Sequence, residues 1–371
     1  MFKLDEPNVG KKEIEYVTEA IKSGWISSHG SFVKKFEKMF ADYTGVKYAV
    51  SCFSGTSALM LMCATLKLQK GDEIILPSLT FTANAWALVQ SGAKVVFADC
   101  SEGKYTLSPE DVKKRITNKT KVIFPTHLYG YPAELDELKE ICEKRNILLI
   151  EDCCQATGSR YKDKMVGSIG DFNIHSFHNK LIASGEGGMV TTNNKELAER
   201  FHSLKNPPSV NRPEERNNFS EIAMNHRMSN LHAAVGVAQL EKLEEGVKKK
   251  IRMANLYNQQ FQDSEEINIF QANPQDRTVY WRYSVFIDEK INLKSFIKEA
   301  MKSGIATRET FLPLHLHPFF KNQYKISLPN CEKIGGTGLD IPSSINLSEN
   351  DIIFISKKLK ENARKLISSK N

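Results

Sequence analysis

Asn146-Ile147-Leu148-Leu149-Ile150-Glu151-Asp152 sets four consecutive apolar residues in front of two carboxylates. Neighbouring side chains of a strand point to opposite faces, so a continuous apolar run is apolar on both. Such a strand needs cover above and below, which is the situation in a parallel sheet sandwiched by helices. In open sheets of that kind, ligands gather at the carboxyl ends of the strands. Asp152 ends this one. The same alternation lets at most one of Glu151 and Asp152 face a given site.

Working outward, helical and extended spacings alternate. Upstream they predict helices at 83–90, 109–115 and 134–145, and strands at 73–76, 94–98 and 121–125. Ser54-Gly55-Thr56-Ser57 is a glycine turn that opens an apolar helix over 58–68. Two helices precede it, at 12–23 and 31–43; the second carries Phe32, Phe36 and Phe40 at i, i+4 and i+8. Downstream, 188–192 reads as another strand. The class is α/β with a large, mostly parallel sheet. Past about residue 245 the order changes to helices at 248–261, 293–303 and 351–366 with a strand at 280–287, a smaller α+β unit. We expect a large domain over 1–245 and a small C-terminal domain over 246–371. No Gly/Ser linker separates them, so they should pack closely. Residues 205–221 are polar and proline-bearing and read as a long loop.

Of 371 residues, 41% are hydrophobic and 26% charged, which supports a folded core and argues against disorder. No run of 18 apolar residues is present, so no membrane span is expected. The start, MFKLDEPNVGKKEIEYV, lacks the apolar stretch of a signal peptide. Seven scattered cysteines form no CxxC pair, so neither a zinc ribbon nor a disulfide framework is indicated, and a reduced, cytoplasmic protein is expected. The net charge of +7 comes from lysines interleaved with Glu and Asp. That pattern reads as solvated helix faces and not as a nucleic-acid surface. It also suits small phosphorylated substrates.

One cation has an unusual setting. Lys180 lies between a strand-like run and a glycine cluster, in Ser176-Phe177-His178-Asn179-Lys180-Leu181-Ile182-Ala183-Ser184-Gly185-Glu186-Gly187-Gly188. A lysine nucleophile and a buried aspartate together suggest pyridoxal phosphate (PLP): the lysine forms the Schiff base and the aspartate keeps the pyridine nitrogen protonated. The phosphate needs an anion site. Gly55-Thr56, at a helix start, is either that or an ordinary N-cap. Phe81 could stack on the ring. His315 and His317 have no third ligand nearby in sequence, and no metal is expected.

These segments, taken in order, resemble the DegT/DnrJ/StrS family, the PLP-dependent sugar aminotransferases of fold type I (aspartate aminotransferase-like). The resemblance is carried by Trp25-Ile26-Ser27-Ser28, Ser54-Gly55-Thr56-Ser57-Ala58-Leu59, Pro77-Ser78-Leu79-Thr80-Phe81, Glu151-Asp152 with Gln155, and Lys180 with Gly185-Glu186-Gly187-Gly188. Asn225-His226-Arg227-Met228-Ser229-Asn230 and Arg308-Glu309-Thr310-Phe311-Leu312-Pro313-Leu314-His315 extend it towards the C-terminus. Within the family, Thr126-His127-Leu128-Tyr129-Gly130 and Arg227-Met228-Ser229-Asn230 are similar to the perosamine-forming members.

The resemblance implies that Lys180 bears the cofactor and shuttles the proton. It implies that Asp152 pairs with the pyridine nitrogen, Gln155 sits near the ring hydroxyl and Phe81 stacks on the ring. Gly55, Thr56 and Ser176 would hold the phosphate, with Asn225 from a neighbouring subunit, which implies a homodimer with shared active sites. Trp25, His178, Arg308, Phe311 and His315 would lie near the substrate. The implied reaction moves an amine from L-glutamate to a nucleotide-linked keto sugar, GDP-4-keto-6-deoxymannose first, for surface polysaccharide. A UDP- or dTDP-linked keto sugar and a small phosphorylated ketone are the alternatives. Related sugar dehydratases carry histidine in place of the lysine, and a non-catalytic regulator would tolerate its loss; Lys180 argues against both. Two departures stand out. Ser176 precedes Lys180 by four residues where the family pattern has five, so Ser176 or His175 fills that place. Cys153-Cys154 stands where alanines are commoner.

Overall fold

The computed structural model describes residues 1–206 and 221–368. A seven-stranded sheet forms from β1 (Tyr48–Cys52), β2 (Glu73–Pro77), β3 (Lys94–Ala98), β4 (Thr120–Ile123), β5 (Leu148–Asp152), β8 (Phe172–Ser176) and β9 (Gly188–Thr192). A small hairpin, β6 (Arg160–Tyr161) and β7 (Lys164–Met165), interrupts the series. The order across the sheet is β1-β9-β8-β5-β4-β2-β3. β8, β5, β4, β2 and β3 run parallel, as the apolar runs predict; β9 is antiparallel to both β8 and β1. The link from β8 to β9 carries no crossover helix, so the chain must return antiparallel. That return loop holds Lys180.

Helices cover both faces. Helix Gly55–Thr65 is buried over nearly its whole circumference, packing between the sheet and helix Lys195–Lys205. On helix Ser31–Thr44, Phe32, Phe36 and Phe40 all point inward, against helix Asn230–Glu241. The predicted helices at 83–90 and 109–115 and the strands at 94–98 and 188–192 have the expected ends. Neither helix Lys195–Lys205 nor helix Asn230–Glu241 was expected. The second is buried on most sides and carries Gly236 in its interior, so no 3.6-residue period marks it. Of the loop expected at 205–221, Lys205 ends a helix and 207–220 lie outside the described residues.

A second, antiparallel sheet has the order β10 (Ile267–Asn268), β11 (Tyr283–Ile287), β13 (Gly338–Ile341), β12 (Arg308–Glu309). Helices Leu243–Phe261, Leu293–Lys302 and Glu349–Ser368 bury Met253, Tyr257, Phe261, Phe296, Ile355 and Leu359 in one core with it. β11 starts three residues later than the spacing suggests. Tyr280 has φ +48°, a left-handed conformation that an extended strand does not admit. No described helix is long and apolar enough to cross a membrane.

Candidate active site

Gly188 sits at the junction that builds the site. It pairs with Cys52 at the end of β1 and with Ser176 at the end of β8. A Cβ there would collide with the Ser54 carbonyl. Only glycine lets the two strand ends close up and bring the Ser54 turn against Ser176. Helix Gly55–Thr65 starts at that turn, with Ser54 Oγ accepting the Ser57 N–H at 3.1 Å. A Cβ on Gly55 would lie 2.8 Å from Ser176 Cβ, so Gly55 leaves room beside that serine.

A cavity of about 390 Å³ opens above this junction. It is lined by Gly55, Thr56, Phe81, Asp152, Gln155, Ser176, His178, Lys180, Arg308 and Phe311, all of them expected site residues. The carboxylate of Asp152, 3% exposed, accepts on both oxygens and Oδ1 keeps room for a further donor. Oδ2 accepts from Asn84 Nδ2 at 2.7 Å and from Thr126 Oγ1 at 3.3 Å; Oδ1 accepts the Cys154 N–H at 3.0 Å. Glu151 points to the other face, where its oxygens accept the N–H groups of Gly167, Ile169 and Gly170 and meet His127 Nε2. Gln155 Oε1 accepts the Tyr129 N–H at 2.9 Å.

Lys180 Nζ makes no ion pair with any described residue. It stands over the Trp281 ring, 3.4 Å from the centroid. Burial holds its pKa down to about 8; Arg282 and Arg308 act the same way, against the nearby Cys154 and Asp152. Trp281 is 5% exposed and fixed on three sides: Nε1 donates to the Asn179 carbonyl, its N–H to the Tyr129 carbonyl, and its carbonyl accepts from the buried Lys250. Asn179 (φ +47°), Tyr129 (φ +55°) and Tyr280 (φ +48°) are left-handed non-glycine residues. Each adjoins or touches a residue of this floor, and strain of order 1–3 kcal/mol per residue persists only where packing enforces it. Tyr129 stacks between Trp281 and Phe311, and Phe81 meets Phe311 edge-on.

Ser176, not His175, faces the cavity. His175 is buried on the opposite side of β8 beneath Phe40, its pKa pushed down by burial to about 3. Three expected residues do not line the cavity. His315 corrects the expectation of a substrate contact: it is 1% exposed, its Nδ1 is 2.7 Å from Ser78 Oγ and its Nε2 is 3.2 Å from Glu332, so it ties the 313–317 turn to the end of β2. Trp25 is exposed, held through its carbonyl by Asn230. Asn225 is exposed, accepting from Arg227 Nε at 2.9 Å. Missed by the sequence reading were Asn84, Trp281, Arg282 and Glu186. Asn84 carried a usable signal, an amide at the start of helix Ala83–Gln90, followed by five apolar residues.

Comparison with known proteins agrees with this geometry. The family profile described as DegT/DnrJ/EryC1/StrS aminotransferase matches residues 7–360. The GDP-perosamine synthase of Escherichia coli O157:H7 is 36% identical over 364 residues, covering 96% of this chain and 97% of the relative. The aminotransferase TlmJ of Streptoalloteichus hindustanus superposes with a TM-score of 0.93 at 27% identity, over 99% of this chain and 100% of that one. Spr1654 of Streptococcus pneumoniae, solved in a PLP form, superposes with a TM-score of 0.91 at 26% identity over 99% of each chain.

Proposed function

Because the chain belongs to the DegT/DnrJ/EryC1/StrS aminotransferase family, we propose that it moves the amino group of L-glutamate onto the keto carbon of GDP-4-keto-6-deoxymannose. It is a PLP-dependent sugar aminotransferase of fold type I. The choice of acceptor rests on the perosamine-forming relatives, and it suits surface polysaccharide assembly.

The residues fit the cofactor. Gly55 leaves a space that a Cβ would fill, next to a helix start, and Lys180 Nζ is an unpaired amine in the same cavity. When bound, PLP supplies an electron sink for the carbon that exchanges its nitrogen. Gly55, Thr56 and Ser176 would hold its phosphate, since a helix start offers free N–H groups and a favourable dipole to an anion. Asp152, kept in one orientation by Asn84, Thr126 and the Cys154 N–H, would hold a proton on the ring nitrogen. Phe81 would cover one ring face, and Gln155 would lie at the hydroxyl edge. Lys180 Nζ would carry the cofactor at rest and afterwards move the proton at the substrate carbon. A pKa of about 8 suits that work, because a proton shuttle is most effective when its pKa lies near the working pH. Asn225, exposed on its own chain, would complete the phosphate site of a second copy in a homodimer.

The observation that carries this reading is the unpaired Lys180 amine over Trp281, in one cavity with Asp152 and the Gly55 helix start. The test is direct. Purified protein is given L-glutamate and GDP-4-keto-6-deoxymannose, and GDP-perosamine and 2-oxoglutarate are sought by mass spectrometry. Product with the GDP sugar alone supports the assignment. Product only with a UDP- or dTDP-linked ketone refutes the acceptor. Lys180→Ala abolishes turnover, and clear activity in that variant sinks the role given to the lysine.

A further inference from the structure

Arg282 is 8% exposed, yet its guanidinium has no hydrogen-bond partner among the described residues. Nε and Nη1 are sealed from solvent without an acceptor, and the residue lines the active-site cavity. A buried cation without an anion costs several kcal/mol even after relaxation. The protein's own carboxylates are already engaged: Asp340 accepts from Arg308 at 2.7 Å and from Ser284 at 2.7 Å, and Asp5 lies 3.6 Å from Lys250. Glu186, on the same cavity, lies 3.2 Å from His178. Asp340 and Asp5 ease the Arg282 charge from a distance but neither hydrogen-bonds it, so an anion that does so comes from outside the chain.

The position says which anion. Arg282 Cζ lies 4.7 Å from the centre of the Trp281 ring, the ring that also carries Lys180 Nζ at 3.4 Å. Both residues line one cavity and contact one ring, so the guanidinium lies within reach of the place where a substrate's nitrogen is exchanged. In an α-amino acid a carboxylate is bonded directly to the carbon that gives up nitrogen. In a nucleotide sugar the phosphates lie across the sugar ring from the carbon that receives it. A cation at this place meets the donor's carboxylate first.

We propose that Arg282 receives a carboxylate of the amino donor and thereby selects an amino acid over other amines in the first half-reaction; this rests on the aminotransferase reading above. Arg282 is a specificity residue, and Lys180 performs the chemistry with or without it.

Glutarate, a dicarboxylate with no amine to react, is the probe. Its binding to cofactor-loaded protein is measured by calorimetry for the wild type, Arg282→Met and Arg282→Lys. Arg282→Met weakens binding at least tenfold, in line with the loss of a charge-assisted hydrogen bond, and Arg282→Lys recovers part of it. In single-turnover mixing the Met variant loses kcat/KM for L-glutamate mainly through KM. The keto-sugar half-reaction, started from the aminated enzyme, falls by a smaller factor. Removing an unpaired buried charge does not threaten folding, and circular dichroism together with the bound-cofactor spectrum checks this. Equal glutarate affinity in wild type and Arg282→Met overturns the proposal. So does a loss confined to the keto-sugar half-reaction, because the anion then belongs to the acceptor. If wild type binds glutarate through Arg282 but aminates no keto sugar, the functional reading fails and this inference stands.

Discussion

Lowering the pH from about 9 to about 7 should slow reductive methylation of Lys180 in the cofactor-free protein about tenfold, against about a hundredfold for a surface lysine. The difference follows from where the amine sits. Burial holds its pKa to about 8, where an exposed lysine has 10.5. At neutral pH about one Lys180 in eleven is then uncharged, compared with about one ordinary lysine in three thousand, a ratio near three hundred. Quantitative peptide mass spectrometry reads Lys180 beside exposed lysines such as Lys38 in the same sample. Restricted access slows Lys180 equally at both pH values, so the ratio is diagnostic where the absolute rate is not. A hundredfold fall at Lys180 would refute the argument from burial. The same shift has a thermodynamic face. The folded pKa lies below the unfolded one, so the unfolded chain binds more protons between about 8 and 10.5, and stability rises with pH across that window. Below about 8 the full penalty of about 3 kcal/mol is present. Lys180→Met should therefore unfold at higher denaturant than wild type near neutrality, with the gap closing above pH 10 or so.

Two substitutions probe the frame around the lysine. Gly188→Ala forces a Cβ against the Ser54 carbonyl and displaces the turn that opens helix Gly55–Thr65; cofactor retention on dialysis, followed by absorbance, should fall at least tenfold, and the melting temperature should drop by several degrees. Asn84→Leu leaves Asp152 Oδ2 with only the 3.3 Å Thr126 contact; at about 1.5–3 kcal/mol for a hydrogen bond to a charged group, cofactor affinity should fall roughly tenfold or more, and an unchanged dissociation constant would show that Asn84 does not orient the carboxylate.

The parts of this site that the sequence announces are those with a local signature. Asp152 ends an apolar run, Gly55 follows a serine at the start of an apolar helix, and Lys180 stands before a glycine cluster. Each can be read from a few neighbours, and each lines the cavity. What stayed hidden depends on long-range packing. Trp281 and Arg282 come from a segment some hundred residues beyond Lys180, which follows a left-handed turn at Tyr280 and is anchored by Tyr129, Asn179 and Lys250. The family resemblance places His315 near the substrate, but its ring is drawn inward by Ser78 and Glu332, which sequence spacing cannot foresee. Helix Asn230–Glu241 escaped for the opposite reason: buried on most sides, it shows no polar stripe to count.

The cavity is assembled from two stretches of chain with different duties. Residues 54–188 supply the groups that would grip the cofactor, whereas Trp281, Arg282, Arg308 and Phe311 enter from beyond β10 and meet whatever lies against it. The two stretches meet along an aromatic seam: Trp281 lies on Asn179, Tyr129 and Lys180, Phe311 on Phe81 and Tyr129, and Phe286 on Tyr105. Substrate range can therefore be redesigned by grafting 278–313 from a relative only when the graft keeps aromatic partners for Phe81, Tyr105 and Tyr129.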